Sequence, residues 1–124
     1  LMCDPQGRPI CGTRCNLYLR RGRTLLTPAL TGAGVAGVVR ELLLERALAM
    51  APGLLDGCRE AALSLDDLLA ADEILVSNAV FGLRAVDGLL DPDGEPCWAR
   101  TAPGPVARAL LAGLAADFPG AGSA

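Results

Sequence analysis

The stretch Ala71-Asp72-Glu73-Ile74-Leu75-Val76-Ser77-Asn78-Ala79 decides the fold class of this chain. Its apolar run over 73–76 predicts a short buried strand, and the small polar residues after it predict a loop over 77–82. Small polar side chains at the carboxyl end of a strand often face a ligand in α/β folds. The same residues also suit a turn in which Ser77 and Asn78 satisfy their own backbone.

The residues before this stretch predict strands followed by a helix. Residues 1–27 predict a three-stranded antiparallel meander, in which 16–20 and 24–27 are strands joined by a tight turn at 21–23. Small residues over 31–37 then lead into a predicted helix from Val38 to Pro52. The free N–H groups of such a helix start carry partial positive charge and suit a phosphate, although tight packing alone also explains the small residues.

Within that helix, apolar spacing predicts an inward face and an outward face. Glu41 and Glu45 fall on the outward side, and the inward side is formed by Val39, Leu42, Leu43, Arg46, Ala47 and Met50.

The remaining residues alternate between predicted strands and helices. Ser64 and Asp67 form a capping-box pattern that starts a short helix ending near Ala71. The other predicted elements are strands over 54–62 and 83–87, a turn over 91–94 and a helix over 105–116. This alternation predicts one mixed α+β (α/β) domain over 1–124, with a mixed sheet and flanking helices.

Composition excludes several classes of function. The chain has 124 residues, a net charge of −3 and no basic stripe, which argues against nucleic-acid binding. No apolar run reaches the roughly 18 residues that a membrane span needs. The sequence has no His, and its Cys spacing fits no metal site. We therefore expect no bound metal and a cytoplasmic protein. Its five cysteines are expected to be reduced thiols: Cys3, Cys11, Cys15, Cys58 and Cys97.

Ordered motifs along the chain resemble the cofactor half of class IV, fold-type IV pyridoxal-phosphate (PLP) enzymes. That family carries Glu-Gly-x-x-x-Asn-Leu-Phe, then Thr-Pro, Gly-(Ile/Val)-x-Arg, Ala-Asp-Glu and Gly-Pro-Val-x-x-Arg. The matching segments are Cys11-Gly12-Thr13-Arg14-Cys15-Asn16-Leu17-Tyr18, Leu26-Thr27-Pro28, Gly37-Val38-Val39-Arg40, the stretch 71–79 and Gly104-Pro105-Val106-Ala107-Arg108.

The resemblance implies the C-terminal domain of a D-amino-acid aminotransferase-like fold, with PLP as cofactor. It implies that Cys11 lies beneath the cofactor ring, and that Thr13 and Arg14 lie near a small-molecule substrate. From the residues alone, Arg14 suits either a carboxylate clamp or a solvated surface position. The phosphate is expected at Gly37, Val38, Val39, Ser77, Asn78 and Ala79.

The resemblance also implies partners outside this chain. Such enzymes hold PLP through a lysine, whereas all 11 basic residues here are Arg. No catalytic residue is therefore expected within this chain. We expect the lysine in an N-terminal half upstream of Leu1, and a homodimer as the assembled enzyme.

Within the family, Ser77-Asn78-Ala79 followed by 82–86 is more similar to aminodeoxychorismate lyases, which release p-aminobenzoate and pyruvate in folate synthesis. Aminotransferases of branched-chain or D-amino acids remain an alternative. Cys11 departs from the family, which places Glu against the pyridine nitrogen. A thiol with a pKa of about 8.5 is mostly neutral at pH 7 and is a poor partner for a pyridinium. A non-catalytic relative, or a module that only binds a phosphate ligand, is therefore a further alternative.

Overall fold

The computed structural model describes residues 2–3, 16–28, 38–78, 82–100 and 102–117. These residues form eight strands and three helices. In chain order they are β1 (Met2–Cys3), β2 (Asn16–Arg21), β3 (Thr24–Pro28), α1 (Val38–Met50), β4 (Gly57–Ala61), α2 (Leu65–Leu69), β5 (Glu73–Asn78), β6 (Gly82–Val86), β7 (Gly88–Leu90), β8 (Pro96–Ala99) and α3 (Pro105–Asp117).

The main sheet has five strands in the order β4-β3-β2-β5-β6. The β2–β3 hairpin turns at Gly22, whose φ of 60° suits a residue without a Cβ atom. β5 pairs antiparallel with both β2 and β6, whereas β4 lies parallel to β3 after the α1 crossover. The sheet is therefore mixed, which confirms the predicted fold class.

A second sheet of three strands has the order β1-β7-β8. Met2 pairs with Leu89 and Cys3 with Gly88, so the prediction that the first strand joins a meander with β2 is wrong. An extended pattern identifies a strand but not its partner, and here the partner lies more than 80 residues further along the chain. β7 and β8 were not predicted because each is short; they flank the predicted turn at 91–94, where Gly94 has a φ of 84°.

Side chains of the main sheet alternate between two apolar clusters. One face packs against α1 and α3 around Tyr18, Leu25, Leu75, Leu83 and Leu110. The other face packs against β7, β8 and the residues beside α2, with Leu19, Ile74, Val76, Val86, Leu89 and Trp98 at its centre. The Trp98 indole N–H donates to the carbonyl oxygen of Ala71 at 3.1 Å and so joins the small sheet to the main one.

The predicted helices are confirmed, with one error in the facing of α1. Leu43 and Ala47 are fully buried as predicted, whereas Arg46 is exposed and Arg40 is buried instead. Arg40 is buried because its guanidinium finds polar partners beneath the helix. In α2, Ser64 and Asp67 form the predicted capping box.

The boundaries of two predicted strands differ from the observed ones. β5 continues through Ser77 and Asn78, which pair with Leu83 and Gly82, so the predicted loop over 77–82 is wrong at both ends. Pairing with β6 supplies the backbone hydrogen bonds that keep these polar residues extended. The strand predicted over 54–62 is reduced to β4, because residues 52–54 form a turn around Gly53.

Candidate functional site

Four of the sequence motifs meet at one end of the five-stranded sheet, which we call the motif end. It comprises the start of β2 at Asn16, the end of β3 at Thr27 and Pro28, the end of β5 at Ser77 and Asn78, and the start of α1. Asn16 pairs with Ser77 across β2 and β5. On the other side, the Thr27 hydroxyl donates to the carbonyl oxygen of Leu17 at 2.7 Å. Pairing of adjacent strands therefore brings three distant segments together.

Arg40 attaches the first turn of α1 to this end of the sheet. Its Nη2 donates to the carbonyl oxygen of Pro28 at 3.2 Å and lies 3.2 Å from an oxygen of Glu60 on β4. Its Nη1 lies 3.6 Å from Glu41. The Arg40 side chain is only 3% exposed, whereas those of Glu41 and Glu60 are 61% and 47% exposed. Arg40 is therefore a buried cation whose two carboxylate partners lie at the surface, where water weakens each pairing.

The guanidinium also retains unused hydrogen-bonding capacity. Arg40 Nε is buried without a partner among the described residues. A buried N–H group without an acceptor is costly, so this end of the molecule suits an additional acceptor or anion.

Below the helix start lies a layer of buried hydroxyl groups. Tyr18, Thr27 and Ser77 are each 2% exposed or less. Tyr18 Oη and Ser77 Oγ are 2.7 Å apart, within hydrogen-bond distance. This layer separates the apolar core from the motif end with groups that are polar and uncharged.

The Tyr18 hydroxyl stays protonated at any ordinary pH. Burial raises the pKa of Tyr18 to about 12, although the hydrogen bond with Ser77 and the nearby charge of Arg40 lower it. The effect of burial is the largest of these, so the neutral phenol is favoured. Tyr18 therefore acts as a neutral hydrogen-bonding group.

The opposite end of the sheet, which we call the closed end, is formed by Arg20, Glu73 and the first turn of α3. The Glu73 carboxylate accepts hydrogen bonds from the backbone N–H groups of Val106 and Ala107, both at 3.0 Å. It also accepts one from Arg20 Nε. The Ala-Asp-Glu and Gly-Pro-Val motifs are therefore two halves of one structural contact.

Gly104 is required at the closed end because Glu73 lies against its backbone. A Cβ atom at this position would come within 2.5 Å of Glu73 Cδ and Oε1. The pairing of Glu73 with the start of α3 was not foreseen, although a Gly-Pro helix start with no Ser, Thr, Asp or Asn as a cap indicates that the cap must come from elsewhere.

The structure describes some of the predicted site residues and not others. Cys11, Thr13, Arg14, Gly37 and Ala79 lie outside the described residues. Of the others, Val38 and Val39 open α1, and Ser77 and Asn78 end β5, so these four lie at the same end of the sheet. The Ser77 side chain is fully buried and is bonded to Tyr18.

Sequence reasoning missed the burial of Tyr18 and Arg40 at this site. A signal was present for each residue. Tyr18 stands where the family motif has Phe, which adds one hydroxyl to a buried position. Arg40 interrupts the apolar start of a helix, at a place where a positive charge is unfavourable unless it is paired.

The described residues contain no candidate metal cluster and no candidate membrane span. No three or more His, Cys, Asp or Glu side chains there are placed to hold a metal ion. None of the described helices is long and apolar enough to cross a membrane. Cys58 and Cys97 are free thiols.

Comparison with known proteins identifies the family. Residues 1–89 match the family described as amino-transferase class IV. The chain belongs to this family, and the predicted class IV fold is confirmed.

Two of its similar proteins are aminodeoxychorismate lyases. The aminodeoxychorismate lyase of Vibrio harveyi is 32% identical over 90 residues, which cover 73% of this chain and 32% of that protein. The crystal structure of 4-amino-4-deoxychorismate lyase from Pseudomonas aeruginosa is 35% identical, with a TM-score of 0.64 over 84% of this chain and 34% of that one.

The branched-chain amino acid aminotransferase of Escherichia coli has the same TM-score of 0.64 at 25% identity. It covers 87% of this chain, which corresponds to 33% of the aminotransferase. The chain therefore spans about a third of the length of these relatives.

Proposed function

We propose that this chain is the phosphate-binding half of a PLP-dependent lyase that converts 4-amino-4-deoxychorismate to p-aminobenzoate and pyruvate, in folate synthesis. One observation carries the proposal. In a member of the class IV family, the first turn of α1, the buried Arg40 and the end of β5 meet at one end of the sheet.

The residues at the motif end fit the phosphate group of PLP. α1 has 13 residues, and its first-turn N–H groups carry the partial positive charge of the helix dipole. Arg40 adds a buried positive charge next to them. Its partners Glu41 and Glu60 are 61% and 47% exposed, so water weakens their competition with a phosphate for Arg40. A dianion at this position would be attracted by both the helix and the guanidinium.

The residues of this chain then have separate roles in binding. We assign the backbone N–H groups of Val38 and Val39 to the phosphate oxygens, together with Gly37 and the 77–79 segment. When bound, PLP supplies the electron sink for cleavage of the substrate.

The ring and the substrate are assigned to the first motif. By the family pattern, Cys11 lies against the pyridine nitrogen, and Thr13 and Arg14 lie near the substrate. A neutral thiol stabilises a protonated pyridine less than a carboxylate does. We therefore expect a weaker electron sink than in a relative with Glu at this position.

The rest of the enzyme must come from outside the chain, which contains no Lys. We propose that an N-terminal half of the same protein supplies the lysine that holds PLP. The assembled enzyme is proposed to be a cytoplasmic homodimer.

The proposal of a lyase over an aminotransferase rests on sequence. The two structural relatives have equal TM-scores, but the lyase is 35% identical and the aminotransferase 25%. The Ser77-Asn78-Ala79 segment also resembles lyases. The second candidate is a non-catalytic relative, which the Cys11 substitution favours.

The test uses this chain joined to a Lys-bearing N-terminal half. Bound PLP is followed by its absorbance band at about 410–430 nm, and turnover by release of p-aminobenzoate or by amino transfer to 2-oxoglutarate. Cys11→Glu is compared with the parent, and Cys97→Glu, which makes the same change at an exposed position, is the matched control.

Release of p-aminobenzoate by the parent supports the lyase. A gain of activity only in Cys11→Glu identifies a relative inactivated by Cys11. Amino transfer without p-aminobenzoate supports an aminotransferase, and absence of PLP binding in every variant contradicts the cofactor assignment.

A further inference from the structure

Tyr18 and Ser77 form a buried hydroxyl pair that the proposed chemistry does not yet use. Tyr18 is 1% exposed and Ser77 is fully buried. Their oxygen atoms are 2.7 Å apart, which is the usual length of an O–H···O hydrogen bond. The two residues are 59 positions apart in sequence, so the contact depends on the pairing of β2 with β5.

The hydrogen bond joins the two side chains whichever hydroxyl group donates. Each hydroxyl can donate one hydrogen bond and can also accept. The bond to Tyr18 therefore restricts the orientation of the Ser77 side chain.

The pair lies at the motif end of the sheet, where Ser77 belongs to the segment that we assign to the phosphate. Ser77 is followed by Asn78, the last residue of β5, and both belong to the proposed phosphate-binding segment. Tyr18 also belongs to the apolar cluster that packs against α1 and α3. Its hydrogen bond therefore joins this core to the end of β5.

We propose that Tyr18 is a positioning residue of the phosphate site, which orients Ser77 and the end of β5 through a hydrogen bond to Ser77 Oγ. The proposal rests on the proposed function. Tyr18 does not touch the ligand itself. Its hydroxyl selects for the phosphate group, because only that end of PLP is assigned to the segment that Ser77 begins.

The test compares two ligands that differ only in the phosphate group. PLP and pyridoxal are titrated against the full-length protein, Tyr18→Phe, Ser77→Ala and the double variant. Tyr18→Phe removes one oxygen atom and keeps the packed ring. Cys58→Ala is the matched control, because it removes a partly buried side chain that packs on the same core and donates to the carbonyl oxygen of Leu43 instead.

We expect Tyr18→Phe to weaken PLP binding about fivefold, the effect of one hydrogen bond, and to change pyridoxal binding less than twofold. Ser77→Ala is expected to have a similar effect, and the double variant no more than the stronger single variant, because the two groups act as one unit. Cys58→Ala is expected to leave the ratio of the two affinities unchanged even where it lowers the melting temperature.

Equal weakening of PLP and pyridoxal by Tyr18→Phe would overturn the proposal and assign the pair to stability alone. Additive losses in the double variant would also overturn it. If the parent protein binds neither ligand, the proposed function fails and this inference fails with it. If the parent binds PLP but Tyr18→Phe leaves the ratio unchanged, only the positioning role is lost.

Discussion

At the closed end of the five-stranded sheet, the Glu73 carboxylate satisfies the first-turn N–H groups of α3. At the motif end, the first turn of α1 instead contains the buried Arg40 cation and lies above neutral hydroxyl groups. Both ends place a helix start against the end of a strand. At one helix start a carboxylate accepts the backbone N–H groups, whereas at the other a buried guanidinium pairs with the surface carboxylates Glu41 and Glu60.

The difference shows that the first-turn N–H groups of a helix can serve either stability or ligand binding. A carboxylate at a helix start stabilises the fold because it is always present. A helix start with a buried guanidinium beside it, and no carboxylate bound to its N–H groups, can instead bind an anion that comes from solution. The following predictions test this contrast, beginning with the largest expected effect.

The first prediction breaks the closed end. Glu73→Gln keeps the side-chain shape but removes the negative charge shared by Arg20 and the start of α3. Removing one partner of a buried ion pair costs about 3–5 kcal/mol, and we expect a loss of this size in the free energy of unfolding, measured by urea denaturation.

The control for Glu73→Gln is a surface ion pair. Arg23 and Asp56 lie 3.3 Å apart with side chains 59% and 64% exposed. Asp56→Asn is expected to cost less than about 0.5 kcal/mol. A loss below about 1 kcal/mol for Glu73→Gln would show that the closed end does not depend on this carboxylate.

The second prediction concerns the ionisation of Tyr18, at the motif end, at high pH. The unfolded chain releases the Tyr18 proton at its ordinary pKa of 10.0, whereas burial raises the pKa in the folded state to about 12. The folded state therefore holds the proton more tightly. Its contribution to stability is complete below pH 10 and is lost as the pH rises from 10 to 12, by about 3 kcal/mol.

Tyr18→Phe is the control for this pH dependence, since it cannot ionise. The difference in free energy of unfolding between parent and Tyr18→Phe should change across pH 10–12 and stay constant from pH 6 to 9. Tyr18 is the only Tyr in the chain, so ultraviolet absorbance of tyrosinate reports it alone within this chain. Ionisation near pH 10 in the folded state would contradict the burial argument.

The third prediction compares two glycines. Gly104→Ala places a Cβ atom within 2.5 Å of the anchored Glu73 carboxylate, and we expect a loss of about 1–3 kcal/mol. Gly113→Ala brings a Cβ atom within 2.8 Å of Met50 Cγ, which belongs to a flexible side chain. Helix propensity favours this second change by about 1 kcal/mol.

We therefore expect Gly113→Ala to change thermal stability by less than about 1 kcal/mol, and less than Gly104→Ala does. Combining Gly104→Ala with Glu73→Gln tests the assigned contact, because neighbouring changes that act on the same group are not additive. Equal effects of the two Gly→Ala changes would show that the closed end tolerates an added methyl group.

The fourth prediction concerns inorganic phosphate and has the smallest effect. At a concentration equal to its dissociation constant, a ligand adds about 0.4 kcal/mol to stability. We expect phosphate to raise the melting temperature relative to chloride at matched ionic strength. The increment should persist in Gly104→Ala, at the other end of the sheet, and fall in Tyr18→Phe. An equal increment in all three proteins would indicate a general salt effect.

Elements with a local cause could be predicted from the sequence. Ser64 and Asp67 are three residues apart and form the capping box in any helix that starts there. Gly22 lies between two short strands and permits the tight turn of the hairpin. The helical spacing of α1 and α3 and the apolar run of β5 also depend only on neighbouring residues, and so does each of the family motifs that indicated the class.

Contacts between distant segments could not be predicted in this way. Three such contacts join segments that are separate in sequence: the pairing of β1 with β7, the contacts that bury Arg40, and the hydrogen bond of Tyr18 with Ser77. A pattern of neighbouring residues defines the type of an element and the face that it buries, but not the element that covers that face. The sequence by itself therefore determined the elements and the family. The tertiary structure decided that Glu73 caps the start of α3 and that Arg40 is buried at the start of α1, because both outcomes depend on which strand end meets which helix.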